Sequence, residues 1–300
     1  MTAHFIPGQQ PQAGCPGKPG RKLGPISESV GSTHRAWLEP LRSSFLAGGM
    51  TISELSAQTG WAKSKISELL RGTGLYPRWE ITHSLLSLLG IPTWPMRRLW
   101  TSAAREARKK PEWIERCMEK QVLTAEDPPL DHGAFTELHA DAYLAYATVF
   151  LSPREQAVQA VRDAFDILWL GWNDALASSD VVKYAWPVLR RTVMTRARLV
   201  DGRPELSEAA FDTVALRAVL TGEEQFAQIE ESVALFATMS RLPDHQLDVM
   251  VLRHLRGMEP LEVADVLGVP IASVRSDERH AKHTLETALC TEHDSEGTPT

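Results

Sequence analysis

From about His34 to Cys290, apolar residues recur at intervals of three and four, and no run alternates strictly between apolar and polar. An interval of three to four places one apolar stripe along a helix, whereas a half-buried strand needs a period of two. Ala, Leu, Arg, Glu and Gln, all good helix formers, are plentiful. The pattern breaks in three places. Residues 1–33 hold five prolines and six glycines with few large apolar groups. Such a segment buries too little surface to offset its ordering entropy and reads as a disordered tail. The run Glu126-Asp-Pro-Pro-Leu-Asp-His-Gly133 interrupts any helix, and Asp201-Gly-Arg-Pro204 interrupts it again. The predicted class is all-α with no strand, in three helical blocks at 34–125, 133–200 and 205–290. As domains these are 34–125, 126–200 (with the break) and 226–290, with 201–225 a linker or helix and 291–300 a tail.

Two segments share one spacing. Thr51-Ile-Ser-Glu-Leu-Ser-Ala-Gln-Thr-Gly60 runs into Trp61-Ala-Lys-Ser-Lys-Ile-Ser-Glu-Leu-Leu-Arg-Gly72. Thr51 or Ser53 caps a short helix, and Gly60 ends it by taking the left-handed conformation of a tight turn. A second helix then spans about Ala62 to Leu70. Where two short helices cross closely, the first needs a small inner residue, supplied by Ser56, and the second needs an apolar plug, supplied by Ile66. The run from Pro260 to Ser276 repeats this with Ala264, Gly268 and Val274 at the same intervals. Each reads as a helix-turn-helix pair. The second helix of such a pair lies in the major groove of DNA, with its N-terminal residues on base edges. The exposed candidates are Lys63, Ser64, Lys65, Ser67 and Arg71 in the first pair. In the second they are Ser273, Arg275, Ser276, Arg279 and Lys282, where Asp277 and Glu278 interrupt the basic face.

Charge separates the blocks. The 300-residue chain has a formal net charge of −6, which taken whole speaks against a protein that coats nucleic acid. Residues 1–125 carry 17 Lys and Arg against 9 Asp and Glu, a net of +8. Residues 126–200 carry 7 against 10, a net of −3, and residues 201–300 carry 8 against 19, a net of −11. Electrostatic fields are local, so the basic front and acidic back point to different partners.

The first block resembles the XRE-type, Cro-like helix-turn-helix domain. The resemblance rests on Leu41-Arg42, Leu55-Ser56, Gly60, Lys63-Ser-Lys-Ile-Ser67, Gly72 and Leu85-Leu-Ser-Leu-Leu-Gly90. The trailing Trp94-Pro-Met-Arg-Arg-Leu-Trp100 is similar to actinobacterial members. The third block resembles region 4 of sigma-70 family factors of the extracytoplasmic-function type. It does so through Leu242-Pro243, Val249-Met-Val-Leu-Arg253, Gly257-Met258, Glu262-Val-Ala264, Leu267-Gly-Val269, Ser273-Val-Arg275 and Ala281. The second block is similar to sigma region 2, around Ala157, Val161, Asp163, Phe165, Leu168 and Trp169 and the basic stretch Ala185-Trp186, Leu189-Arg-Arg191 and Arg196-Ala-Arg198.

These resemblances imply duplex DNA and core RNA polymerase as partners. They add an anti-sigma or other regulatory protein, and a homodimer through the XRE-like unit. Val161, Asp163, Phe165 and Trp169 are implied to face polymerase. Arg190, Arg191, Arg196 and Arg198 are implied to hold the DNA backbone, while Trp169, Trp172 and Trp186 are either stacking platforms for unpaired bases or core residues. The expected function is a sigma-like factor that directs polymerase to promoters, with an added N-terminal DNA contact. The chain departs from the family at Val158, Gln159, Pro187, Asp277 and Glu278. Those departures support an alternative, an XRE-family regulator whose sigma-like part binds a partner.

Other chemistry is not expected. The three cysteines, Cys15, Cys117 and Cys290, are far apart and make no disulfide framework, which fits a reducing cytoplasm. No apolar stretch is long enough to span a bilayer. Phosphate-loop, HExxH and GxSxG patterns are missing. His280, His283 and Cys290 lack a fourth ligand. Neither a cofactor, a metal nor an enzymatic activity is expected. The expected location is the cytoplasmic nucleoid.

Overall fold

The computed structural model describes residues 23–119, 126–206 and 235–296, with side chains as far as 288. They are mostly helical. The first block holds α1 (Ser32–Ala47), α2 (Ile52–Thr59), α3 (Lys63–Arg71), α4 (Trp79–Leu89), α5 (Thr93–Glu106) and α6 (Pro111–Met118). Its core is built on Trp37, Trp79 and Trp100, all fully buried, with Leu38, Leu41, Leu55, Ile66 and Leu85 around them. Tyr76, in the loop before α4, ties α1 to α5. Trp37 Nε1 donates to the Tyr76 hydroxyl at 3.2 Å, and that hydroxyl donates to the Trp100 carbonyl at 2.7 Å.

Residues 23–31 correct the expectation of a tail reaching to residue 33. Leu23 and Ile26 pack on the first core, and Val30 is buried in it. Arg42 donates to the carbonyls of Gly24, at 2.5 Å, and Leu70, at 2.9 Å, fastening this stretch to α3. Three apolar residues and one guanidinium fix a segment whose average composition is that of a tail. Residues 1–22 lie outside the described residues.

The second block contains α7 (Leu130–Phe150), α8 (Arg154–Leu170), α9 (Trp172–Ala177) and α10 (Val181–Met194), with α8 packed between α7 and α10. The expected break at 126–133 ends earlier than the sequence pattern suggests. Pro129 caps α7, and Gly133 lies within its first turn. A proline just ahead of a helix costs it no ladder bond, because that position donates none. Pro187 lies inside α10, which runs through it.

The second expected break is a two-stranded antiparallel ladder, β1 (Leu199–Val200) with β2 (Arg203–Pro204). The expectation of no strand fails here, because the signal is not an alternating run. It is the Asp201-Gly202 turn, whose two residues have φ of 51° and 75°, both positive, as a tight type I′ hairpin requires.

The third block is described from residue 235. A helical turn at 235–239 precedes α11 (Asp244–Met250), a π-helical turn (Val251–Leu255), α12 (Pro260–Leu267) and α13 (Ile271–Glu296). Blocks two and three share a single core. Tyr146, Ala160, Leu189, Leu252, Val263, Val274 and Ala281 belong to one continuous buried cluster. The boundary expected between them, part of which lies in residues outside the described set, does not separate two cores. Among the described residues, no helix is long and apolar enough to cross a membrane.

Candidate nucleic-acid interface

Both predicted helix pairs form. In the first, Thr51 caps α2 through a reciprocal box. The Glu54 amide donates to Thr51 Oγ1 at 3.2 Å, and the Thr51 amide donates to Glu54 Oε2 at 2.7 Å. Gly60 follows with φ of 75° and opens the turn to α3. Ile66 is fully buried and seats α3 on the core. The N-cap of α3 is Ala62, which offers no side-chain acceptor, so the first-turn amides of α3 lack a capping partner. Lys63, Ser64 and Lys65 stand exposed on that turn. Lys65 Nζ lies 2.9 Å from Glu68 Oε2. Ser67 and Arg71 are half-buried, and Arg71 Nε donates back to the Ser67 carbonyl at 3.2 Å. Of the five candidates, three therefore form one open basic and hydroxyl surface at the helix start.

In the second pair, Glu259 and Glu262 make the same kind of capping box for α12, and Gly268 turns the chain with φ of 65°. Ala264 and Val274 are buried at the inner positions. Ser273, Arg275, Arg279 and Lys282 are exposed, and Ser276 is half-buried. The two acids that interrupt this face in sequence are turned inward. Asp277 meets His245 of α11 at 3.6 Å. Glu278 meets His254 at 3.0 Å, Arg253 at 3.5 Å and Lys282 at 2.9 Å. Burial pulls the Glu278 carboxyl up, but its hydrogen bond and charge contact with Lys282, together with Arg253 and His254, outweigh that and hold it below its ordinary range. These carboxylates fix α13 to its own block rather than project toward a ligand. The turn itself is closely covered. A Cβ on Gly268 would lie 2.4 Å from the Lys183 amide nitrogen at the start of α10.

Of the four candidate arginines of the second block, Arg190 and Arg196 are committed within the chain. Arg190 Nε donates to Asp248 at 3.0 and 3.1 Å, and its other nitrogens meet Asp244 at 2.8 and 2.9 Å. Arg196 pairs with Asp163 and donates to Thr33 Oγ1 at 3.2 Å. Arg191 and Arg198 are exposed, the latter 3.2 Å from Glu205. Trp169, Trp172 and Trp186 are all buried. Trp186 Nε1 donates to Asp248 Oδ2 at 2.9 Å, and Tyr146 donates to Asp248 Oδ1 at 2.6 Å. Asp248 is thus a hub that joins α7 and α10 to α11. Burial pushes its carboxyl up, against the pull of Arg190.

The residues implied to face polymerase are also internal. Val161, Asp163, Phe165 and Trp169 are all buried. Val161 and Phe165 lie in the core shared by blocks two and three, whereas Asp163 and Trp169 are met from the first block, whose α5 and α1 lie against α8. Ser102 Oγ donates to Asp163 Oδ2 at 2.9 Å, and Gln159 donates to Asp163 Oδ1 at 2.8 Å. Arg98 makes a two-pronged bond to Asp166, its Nε donating to Oδ2 at 2.9 Å, and its guanidinium carbon lies 5.9 Å from the Trp169 ring centre.

Arg98, Ser102, Asp166 and Asp248 were not singled out by the sequence pattern. Each pairs with a residue from 58 to 102 positions away, as the bonds of Asp248 to Arg190 and Tyr146 illustrate. Such a spacing leaves no local signal. Among the described residues, no group of three or more His, Cys, Asp or Glu is placed to hold a metal ion. No protein-family model matches the chain, and no curated protein matches it.

Proposed function

We propose that this chain is a DNA-binding transcription protein. Its first helix-turn-helix pair contacts duplex DNA, and its sigma-like remainder engages RNA polymerase. The observation that carries the reading is the start of α3, with Lys63, Ser64 and Lys65 exposed beside uncapped amides. Helix-start amides and lysines are the groups that hold phosphate oxygens, and a short hydroxyl residue reaches base edges. Rigidity supports it, since Ile66, Leu69 and Leu70 anchor the opposite side of α3 in a core with three buried tryptophans.

The test is fluorescence anisotropy of the full chain on labelled genomic duplexes at several salt concentrations, paired with run-off transcription using core polymerase. Lys63→Glu with Lys65→Glu should abolish measurable duplex binding, and replacing either lysine alone by Ala should reduce the salt slope by about one. Unchanged binding by the double variant would refute the DNA-reading role, and failure to associate with core polymerase would refute the sigma role.

A second reading is favoured by a separate observation. Arg190 and Arg196 are held by internal carboxylates, and Trp169, Trp172 and Trp186 are buried. A module that melts DNA needs such groups free. In that reading the sigma-like part binds a partner without melting DNA, and the duplex binding of the first pair persists while run-off transcription fails.

A further inference from the structure

We propose that the first block is an intramolecular cover for α8, so that a partner reaches this helix only after α5 has moved off it. The inference rests on the reading of α8 as the polymerase-facing helix and adds the means by which access to it is controlled.

The contact is built from charged and polar groups rather than from an apolar seam alone. Asp163 and Asp166 of α8 are almost wholly buried, at 0% and 1% exposure. Their partners come from the first block and from the end of α10. Arg98 grips Asp166, Ser102 donates to Asp163, and Arg196 spans Asp163 and Thr33 of α1. Ile167 and Leu170 of α8 fill the remaining space against the first core.

Such an interface is specific in register yet inexpensive to part. Two carboxylates deprived of water lose in desolvation much of what they gain from their cations, and parting returns that solvation to all the charges. The closed state is imperfectly satisfied as well. Arg196 Nη1 is buried without a partner, and burial pushes the Asp166 carboxyl up to about 7 despite Arg98. Separately, within the core shared by blocks two and three, Arg190 of α10 is tied to Asp244 and Asp248 of α11, so both helices with family-implied outside partners are occupied from within. The start of α3 is exposed, and the bonds that α8 receives from the first block come from α5. Duplex binding and the covered state are therefore compatible, since opening uncovers the facing sides of α8, α5 and α1.

The experiment uses the full chain in three forms: wild type, Arg98→Glu, and Arg98→Glu with Asp166→Arg to restore the pair with reversed polarity. Ser102→Asp, which sets a carboxylate against Asp163, serves as an independent opener should Arg98→Glu fail to fold by circular dichroism. Small-angle scattering reports opening, and titration against purified bacterial core RNA polymerase reports access to α8. The expected result is a larger radius of gyration and binding tighter by on the order of tenfold in the opened form, both reverting in the reversed pair. Equal polymerase binding by wild type and an opened variant overturns the cover while leaving the polymerase reading intact. An unchanged radius in both openers overturns the latch. Absence of polymerase binding in every form, including one shown by scattering to be open, overturns the polymerase reading itself and the cover with it.

Discussion

Asp248 shows how much a single carboxylate holds here. It accepts from Tyr146, Trp186 and Arg190 at once, in a site with almost no solvent. Truncation would leave a hydroxyl, an indole N–H and a guanidinium without their acceptor. Removing one member of a buried ion pair costs about 3–5 kcal/mol. Asp248→Ala should therefore lower the urea midpoint of unfolding by a corresponding amount, and a shift within error would show that water replaces the carboxylate. His34 acts through protonation. Burial, reinforced by the charge of Arg35, pushes it down to about 4, and its Nε2 is buried without a partner. The unfolded chain takes up this proton near its ordinary value of about 6.5, before the folded chain does. Stability present above that value is lost as pH falls toward 4. His132 and His139, also lowered by burial, act in the same direction. Asp166, raised by burial, takes up its proton in the folded state first and acts in the opposite direction, so His34 is read by difference: between pH 7 and pH 5 the thermal midpoint should fall further in wild type than in His34→Phe. Equal falls in both proteins would assign the acid sensitivity elsewhere.

At the scale of elements, the helix pairs were legible because everything that makes them is local. A cap, a left-handed glycine and two inner positions all fall within about two dozen residues, and both pairs form as the spacing predicts. What the spacing left open is how each turn is covered. Gly60 has open space where a Cβ would stand, whereas Gly268 abuts the Lys183 backbone. Both have positive φ, so alanine at either position carries a backbone penalty of about 1–2 kcal/mol. Gly268→Ala must in addition push α12 away from α10. It should destabilise the chain by clearly more than Gly60→Ala in parallel urea denaturation, and equal losses would mean that the two elements part freely. The β1–β2 hairpin was missed for the opposite reason. Two-residue strands carry no period, and the Asp201-Gly202 dipeptide that specifies the turn resembles a helix break.

Over the whole molecule, charge and packing divide differently. Charge splits the chain into a basic front and an acidic back, but the core runs without interruption through blocks two and three while the first block keeps its own. If the basic front is the DNA reader, the exposed Arg275 and Arg279 of the acidic block add little for the free chain. Arg275→Glu with Arg279→Glu should leave duplex affinity within about threefold of wild type, well under one decade or 1.4 kcal/mol. A loss as large as that of the Lys63 and Lys65 double variant would make the second pair an equal reader. The sequence by itself determined the helical class, the two helix pairs and the exposed start of α3, because period, caps and turn glycines act within a few residues of one another. Only the tertiary structure decided that Asp277 and Glu278 turn inward, that Arg190 and Arg196 are neutralised, and that α5 lies on α8. Those outcomes depend on which buried charge finds which partner across dozens of intervening residues, and desolvation makes that choice only once the chain has folded.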